Sequence, residues 1–300
     1  MAAVSSRSKA VLFETPGLTL SGLEALPNPS AQAPDYPLII ALHGGTYNAR
    51  YFDVPGYSLL DRASALGLHA IALDRPGYER STPLPPAQAD ITHNAEKLDA
   101  AIGAIWEAHK GRAPGIFVIG HSIGGAITIS IAARRPSWPL LGIAISGVCL
   151  ETPAESKTAW DALPDIPMIL LPSERKDTLM LGPPAWTHTP DMPAASHVAD
   201  TTVPRAELID IVHGWPVRVR DVTARVTVPV HYRQGEFDPL WITDAGQVSE
   251  FGRSFTGSRE VDARLMMSAG HCIDFHRLGA AFQLDQLAFA LRCAVRPPQT

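Results

Sequence analysis

The stretch at 115–133, GIFVIGHSIGGAITISIAA, runs for 19 residues without a Lys, Arg, Asp or Glu. Its length alone suits a membrane span, which needs about 20 apolar residues. Its interior argues otherwise. Gly120, His121, Ser122, Gly124 and Gly125 place the most polar and least helix-stable residues at the middle. The two halves also differ in character. Residues 115–119 are a short β-branched and aromatic run, typical of a parallel strand buried on both faces. Residues 126–133 read as a buried helix, followed by the stop signals Arg134, Arg135 and Pro136. The run predicts a strand, a polar turn and a helix within a soluble fold.

A chain of 300 residues is long enough for one large core plus an insertion, or for two modest domains. Its 46% hydrophobic and 18% charged content is that of an ordinary globular protein. The net charge of −5 is spread out, and no basic stripe marks a nucleic-acid or anionic-membrane surface. RVRDVTARV (218–226) holds three arginines, but Asp221 interrupts it and a solvated face accounts for it. Cys149, Cys272 and Cys293 have no metal-ligand spacing and cannot all pair, so a reducing compartment is expected. The N-terminal MAAVSSRSKAVLFETPG carries an apolar run, 10–13, too short for a signal-peptide core. A cytoplasmic location is the resulting expectation. The chain contains no internal repeat.

Six apolar runs read as buried strands: 37–44, 68–74, 115–120, 140–146, 228–235 and 263–270. Between most of them lie helical patterns. In 91–110 the residues Ala95, Leu98, Ile102, Ile105 and Trp106 share one face, and Gly111 is the stop. Residues 272–295 form a second long helical stretch, with Leu284, Leu287, Ala288 and Leu291 as its stripe. Alternating strands and helices predict an α/β fold, a doubly wound and mostly parallel sheet covered on both faces. About 80 residues separate the strands near 146 and 228, too many for a simple crossover. Pro164, Pro167, Pro172, Pro183, Pro184, Pro190, Pro193 and Pro204 cut this stretch into short pieces. We read 1–150 and 226–300 as the core and 151–225 as an inserted cap.

Gly120-His121-Ser122-Ile123-Gly124 fits G-x-S-x-G. About one chain in ten of this length would match by chance, so its position decides. It falls between a buried strand and a helix, the context of a nucleophile elbow. There a serine hydroxyl stands at a helix N-terminus, where the dipole favours developing negative charge. Phosphate-loop and dinucleotide glycine patterns are both absent. A serine needs a base, and the base needs an acid to fix its tautomer. Of 11 histidines, His271 alone follows the last strand and precedes the C-terminal helix; His276, one helical turn later, reads as structural. Asp238, in QGEFDPLW, follows the preceding strand, with Glu236 two residues earlier. Glu151, behind LLGIAISGVCL, is the alternative acid. The order Ser122, Asp238, His271 is that of nucleophile-elbow enzymes.

HGG (43–45), DRPGYERS (74–81), GHSIGG (120–125), GEFD (235–238) and GH (270–271) stand in one order along the chain. In these stretches the chain resembles the α/β-hydrolase fold superfamily, in its capped subgroup of esterases, lipases and carbon–carbon bond hydrolases. The resemblance covers nearly everything outside the cap. It implies an oxyanion hole formed by the backbone N–H groups of Gly45 and Ile123. Glu79 stands where the family usually has glycine, which bears on the shape of that loop. A serine nucleophile disfavours the relatives that use Asp there, the epoxide hydrolases and haloalkane dehalogenases.

The expected chemistry is acyl transfer to water. His271 deprotonates Ser122, Asp238 orients His271, and two backbone donors hold the oxyanion. No cofactor or metal is implied. The expected partner is a small-molecule acyl substrate of apolar character. Trp160, Met168, Leu179, Met180, Trp186 and Trp215 are available in the cap to line a pocket, with Met180, Trp186 and Trp215 the foremost substrate contacts. Three readings stay open: an ester, lactone or thioester hydrolase; a carbon–carbon bond hydrolase or lyase; and a binding protein that keeps the pocket without turnover.

Overall fold

The computed structural model describes residues 8–33 and 35–295. Residues 1–7, which enter the targeting argument, lie outside them. Ten strands occur among the described residues: β1 (Lys9–Thr15), β2 (Leu18–Ala25), β3 (Leu38–Leu42), β4 (His69–Leu73), β5 (Ile116–His121), β6 (Leu140–Ser146), β7 (Met168–Ile169), β8 (Val203–Pro204), β9 (Val230–Gly235) and β10 (Val261–Met266). β7 and β8 form a small antiparallel ladder of their own. The other eight build one sheet in the order β1-β2-β4-β3-β5-β6-β9-β10. From β4 to β10 its neighbours run parallel; β1 and β2 are antiparallel to each other, and β2 to β4.

Ten α-helices connect these strands: α1 (Leu59–Ala65), α2 (Ile91–His109), α3 (Ile123–Arg134), α4 (Ala154–Asp161), α5 (Ser173–Leu181), α6 (Met192–Ser196), α7 (Arg205–Ile209), α8 (Trp215–Thr223), α9 (Ala245–Arg253) and α10 (Gly279–Ala294). One hydrophobic core lies between the sheet and α2, α3, α8 and α9; a second lies under α1 and α10. The fold is the doubly wound sheet that the alternation of patterns predicts. No helix among the described residues is long and apolar enough to cross a membrane.

The charge-free run divides at Ser122, with β5 before it and α3 after it. α3 begins at Ile123, three residues before the expected start, because Gly124 and Gly125 belong to its first turn. They sit there for space: a Cβ on Gly124 would lie 2.2 Å from the Leu42 carbonyl oxygen. The helix stops at Arg134, where Arg135 turns left-handed at φ 56° ahead of Pro136. In α2 the expected stripe is buried except for Trp106, which is half-buried, and the Asp90 carboxylate caps the helix by accepting from the His93 N–H.

Three features depart from the expectation. The β1–β2 hairpin lies outside the six expected strands; β1 is an edge strand without a fully buried position. β10 ends at Met266 instead of Gly270, because Ser268 turns at φ 64° and its N–H donates to Glu236 Oε2. The last helix begins at Gly279 instead of Cys272, after a 3-10 turn at Ile273–Phe275. His276 is therefore not one helical turn beyond His271. It is buried in the intervening loop, where its Nε2 accepts from the Gly270 N–H at 2.9 Å. Its Nδ1–H then donates to Thr187 Oγ1 at 3.0 Å. Burial, with the His188 ring alongside, pushes its pKa down to about 4, as a neutral acceptor requires.

Between β6 and β9 the chain runs through α4–α8, the β7–β8 ladder and a π-helical turn at Asp210–Gly214. α8 packs against α3 and joins the core beside the sheet. The earlier part lines one cavity with Ser122, at the carboxyl end of β5. It is stitched to the loop after β3 by Asn48 N–H to Ala199 O (3.0 Å) and Thr201 N–H to Thr46 O (3.1 Å).

Candidate active site

Ser122 is held at φ 55° and ψ −123°, a conformation that costs a non-glycine residue about 1–3 kcal/mol. β5 fixes its N-terminal side and α3 its C-terminal side, and its N–H donates to the Ser146 carbonyl at 2.8 Å. This sharp turn presents Oγ above the sheet. His271 arrives on the loop after β10 and Asp238 on the loop after β9. The structure brings the three together: Ser122 Oγ lies 2.9 Å from His271 Nε2, and His271 Nδ1 lies 2.6 Å from Asp238 Oδ2. An ionised carboxylate only accepts, so Nδ1 carries the ring proton and Nε2 faces Ser122 with its lone pair. Asp238 is held in turn by Gln234 Nε2 (2.6 Å) and the Leu240 N–H (2.9 Å). Glu151, the alternative acid, is exposed to solvent.

Glycine again makes room. Gly147 has φ 65°, and a Cβ there would stand 3.0 Å from His271 Cε1. His121 and His43 are buried next to these groups, and burial pushes both rings well below the ordinary histidine range. Both are thereby kept neutral. His43 Nε2 accepts from the Arg75 N–H, and its Nδ1–H donates to the Gly44 carbonyl. The expected oxyanion donors, Gly45 and Ile123, line the same small cavity as Ser122. Among the described residues neither backbone N–H has a protein acceptor.

That cavity measures about 40 Å³, and Thr46, Thr152, Trp160, Met180, Leu208, Ile211, Leu240 and Trp241 complete most of its wall. Of the three foremost substrate contacts, only Met180 reaches it. Trp215 is fully buried, with its Nε1 donating to the Cys149 carbonyl, and belongs to the core. Trp186 is 59% exposed and leans edge-on against Phe237. A larger groove of about 880 Å³ opens on the outer side of α7, and Met168 faces it. Sequence reasoning missed Gln234, Thr46, Thr152 and Trp241. Only Trp241 carries a signal, three residues after Asp238 in DPLW.

Glu79 adopts φ 49°, the left-handed conformation that explains glycine at this place in other chains, and accepts from Asn48 Nδ2 at 2.8 Å. Two further clusters carry metal-type ligands, Glu24–His69–His109 and His231–Asp262–Asp285. Both lie near the amino ends of the parallel strands, and Lys9 and Arg233 already pair with their carboxylates. Cys149, Cys272 and Cys293 are buried and form no disulfide among the described residues.

A family model described as the alpha/beta hydrolase family matches residues 39–281. The chain belongs to the alpha/beta hydrolase family. Solved structures similar to this alpha/beta hydrolase include an esterase from Thermogutta terrifontis, with a TM-score of 0.67 at 15% identity over 96% of this chain and 100% of that one. An N-acyl homoserine lactonase has a TM-score of 0.67 at 18% identity, over 98% and 100% of the two chains. Identities this low show the shared fold alone. Protein phosphatase methylesterase 1 of Pongo abelii is 30% identical over 128 residues, 42% of this chain and 30% of that protein. The match therefore spans under a third of the curated relative's length.

Proposed function

We propose that this alpha/beta hydrolase cleaves a carboxylic ester, lactone or thioester through an acyl-enzyme on Ser122. One observation carries the reading: the unbroken chain of contacts from Ser122 Oγ through His271 to Asp238, at 2.9 and 2.6 Å, on a strained strand-to-helix turn. In the first half-reaction Oγ bonds to the substrate carbonyl carbon as its proton passes to His271 Nε2. The carbonyl oxygen becomes an oxyanion facing the Gly45 and Ile123 amides at the N-terminus of α3. His271 then gives its proton to the leaving oxygen or sulfur as that bond breaks. In the second half, water loses a proton to His271 and its oxygen attacks the acyl carbon. Collapse releases the acid and returns the proton to Ser122 Oγ. Residues 151–225 act as a cap over this site, and the name of the methylesterase relative is in keeping with ester chemistry.

A fluorophosphonate probe is expected to label the protein once, with the adduct mapping to Ser122. Ser122→Ala should abolish labelling and lower kcat by about 10⁶. An adduct on another serine would sink the mechanism. Labelling of Ser122 without turnover on any ester, lactone or thioester would leave the nucleophile and overturn the reaction.

A further inference from the structure

Two threonines sit uneasily in the wall of the Ser122 cavity. Thr46 and Thr152 are both buried there, and neither hydroxyl has a hydrogen-bond partner among the described residues. An unpartnered buried hydroxyl costs about 1–3 kcal/mol, and valine would fill the same shape without that cost. Thr46 carries a second cost. Its φ of 64° is one that a β-branched residue strongly avoids. The conformation is held from behind, where its carbonyl accepts from the Thr201 N–H at 3.1 Å and Lys176 Nζ at 3.2 Å. Most of the remaining wall is apolar, with Trp160, Leu208 and Trp241 among it. Two threonines with unpartnered hydroxyls thus line one small, mostly apolar cavity.

The size of the cavity says which part of the substrate that is. About 40 Å³ holds roughly three water-sized groups. This suits the acyl group, which stays on Ser122 between the half-reactions, and not a bulky leaving group. Resting on the acyl-enzyme reading above, we propose that Thr46 and Thr152 form a polar subsite for short acyl groups of three or four carbons. These groups carry an oxygen on the carbon next to the scissile carbonyl, as a 2-hydroxy or 2-oxo acid does. That oxygen accepts from the two hydroxyls, and the apolar wall covers the rest of the chain.

Ethyl lactate and ethyl 2-methylpropanoate test this directly, because they differ by a hydroxyl in place of a methyl group. Their kcat/KM values are compared after division by their relative rates of alkaline hydrolysis. The wild-type protein should favour the lactate ester by about ten-fold or more, the worth of one good hydrogen bond. Thr46→Val and Thr152→Val should each collapse that ratio, whereas Thr46→Ser and Thr152→Ser should keep most of it. A purely structural role would lower both esters together and leave the ratio alone. A wild-type ratio near one, or a ratio that survives both valine changes, overturns the subsite. Fluorophosphonate labelling of Ser122 in the same samples separates the two failures. Labelled protein without the preference loses only the subsite; unlabelled protein loses the acyl-enzyme as well.

Discussion

Around Ser122 the backbone is shaped by close approach. Gly124 sits against the Leu42 carbonyl and Gly147 against the His271 ring, so the Ser122 turn, His271 and Asp238 meet through short loops with little freedom. The segment between β6 and β9, which lines one cavity with the same serine, is attached in part by charge. Arg75, on the loop after β4, and Glu207, on α7, form a fully buried pair at 2.6 and 2.9 Å, joined by the Tyr78 hydroxyl. Lys176, on α5, is buried against Asp200, with its ammonium 3.7 Å from the centre of the Tyr47 ring. The groups around Ser122 are thus placed by close steric approach, and the segment between β6 and β9 by buried charge and backbone hydrogen bonds. One side tolerates no extra atom, and the other tolerates no missing partner.

The largest effect belongs to the reacting side. Asp238→Asn keeps the shape but offers His271 an amide, which can hold the ring in the wrong tautomer. A drop of about 10⁴ in kcat is expected, the cost of the same change in the serine-protease template. Thermal unfolding should remain close to wild type, and Glu151→Gln should change little. An active Asp238→Asn with an inactive Glu151→Gln would move the acid to the end of β6.

Breaking the buried charge pair should appear in stability. Arg75→Met leaves the Glu207 carboxylate buried and unpaired, which costs about 3–5 kcal/mol. The double variant Arg75→Met/Glu207→Leu should recover much of this in urea unfolding, because it buries no lone charge. A single variant as stable as wild type would mean that the segment is held by its apolar contacts alone.

Acid sharpens the contrast further. His276 orders the loop before His271 as a neutral ring, with a pKa of about 4 in the folded protein against about 6.5 unfolded. The unfolded chain binds the extra proton between these values, so this contribution is complete above pH 6.5 and lost as pH falls towards 4. About 3 kcal/mol is at stake, with His43 and His121 acting in the same direction. His276→Gln should flatten the dependence of unfolding free energy on pH over that window. An unchanged slope would assign the loss to other groups.

The reacting side is legible in the sequence for the same reason that it is rigid. Ser122, Asp238 and His271 each follow a strand that announces itself by a run of apolar residues, and the glycines beside them mark the close approaches. The β1–β2 hairpin escapes because an exposed edge strand carries no such run; Pro16-Gly17 between its strands is the one signal available. Lys176 and Glu207 escape differently. In SERKDTLML and RAELI they look like the solvent face of a short helix. Their burial comes from Asp200, 24 residues on, and from Arg75, 132 residues back. No periodicity within a helix records a partner that far away. Trp215 misleads by composition, since a tryptophan in a cap suits a pocket wall as well as a core.

The smallest effect tests where that segment stops mattering. Trp186 is one of the two tryptophans foremost among the expected substrate contacts and is more than half exposed in the structure. Its ring touches Phe237, next to Asp238, edge-on at 6.4 Å, and its carbonyl accepts from Arg277 Nε at 2.9 Å. Trp186→Ala removes the ring and keeps the carbonyl, so the loop loses one aromatic contact and no hydrogen bond. Stability should shift by no more than about 0.5 kcal/mol, as for most surface changes. Because the ring lies outside the Ser122 cavity, kcat/KM on a short ester should stay within about two-fold of wild type, well below the worth of one hydrogen bond. A larger change confined to KM on longer esters would carry substrate contact out to the rim. The segment between β6 and β9 would then select substrates by its surface.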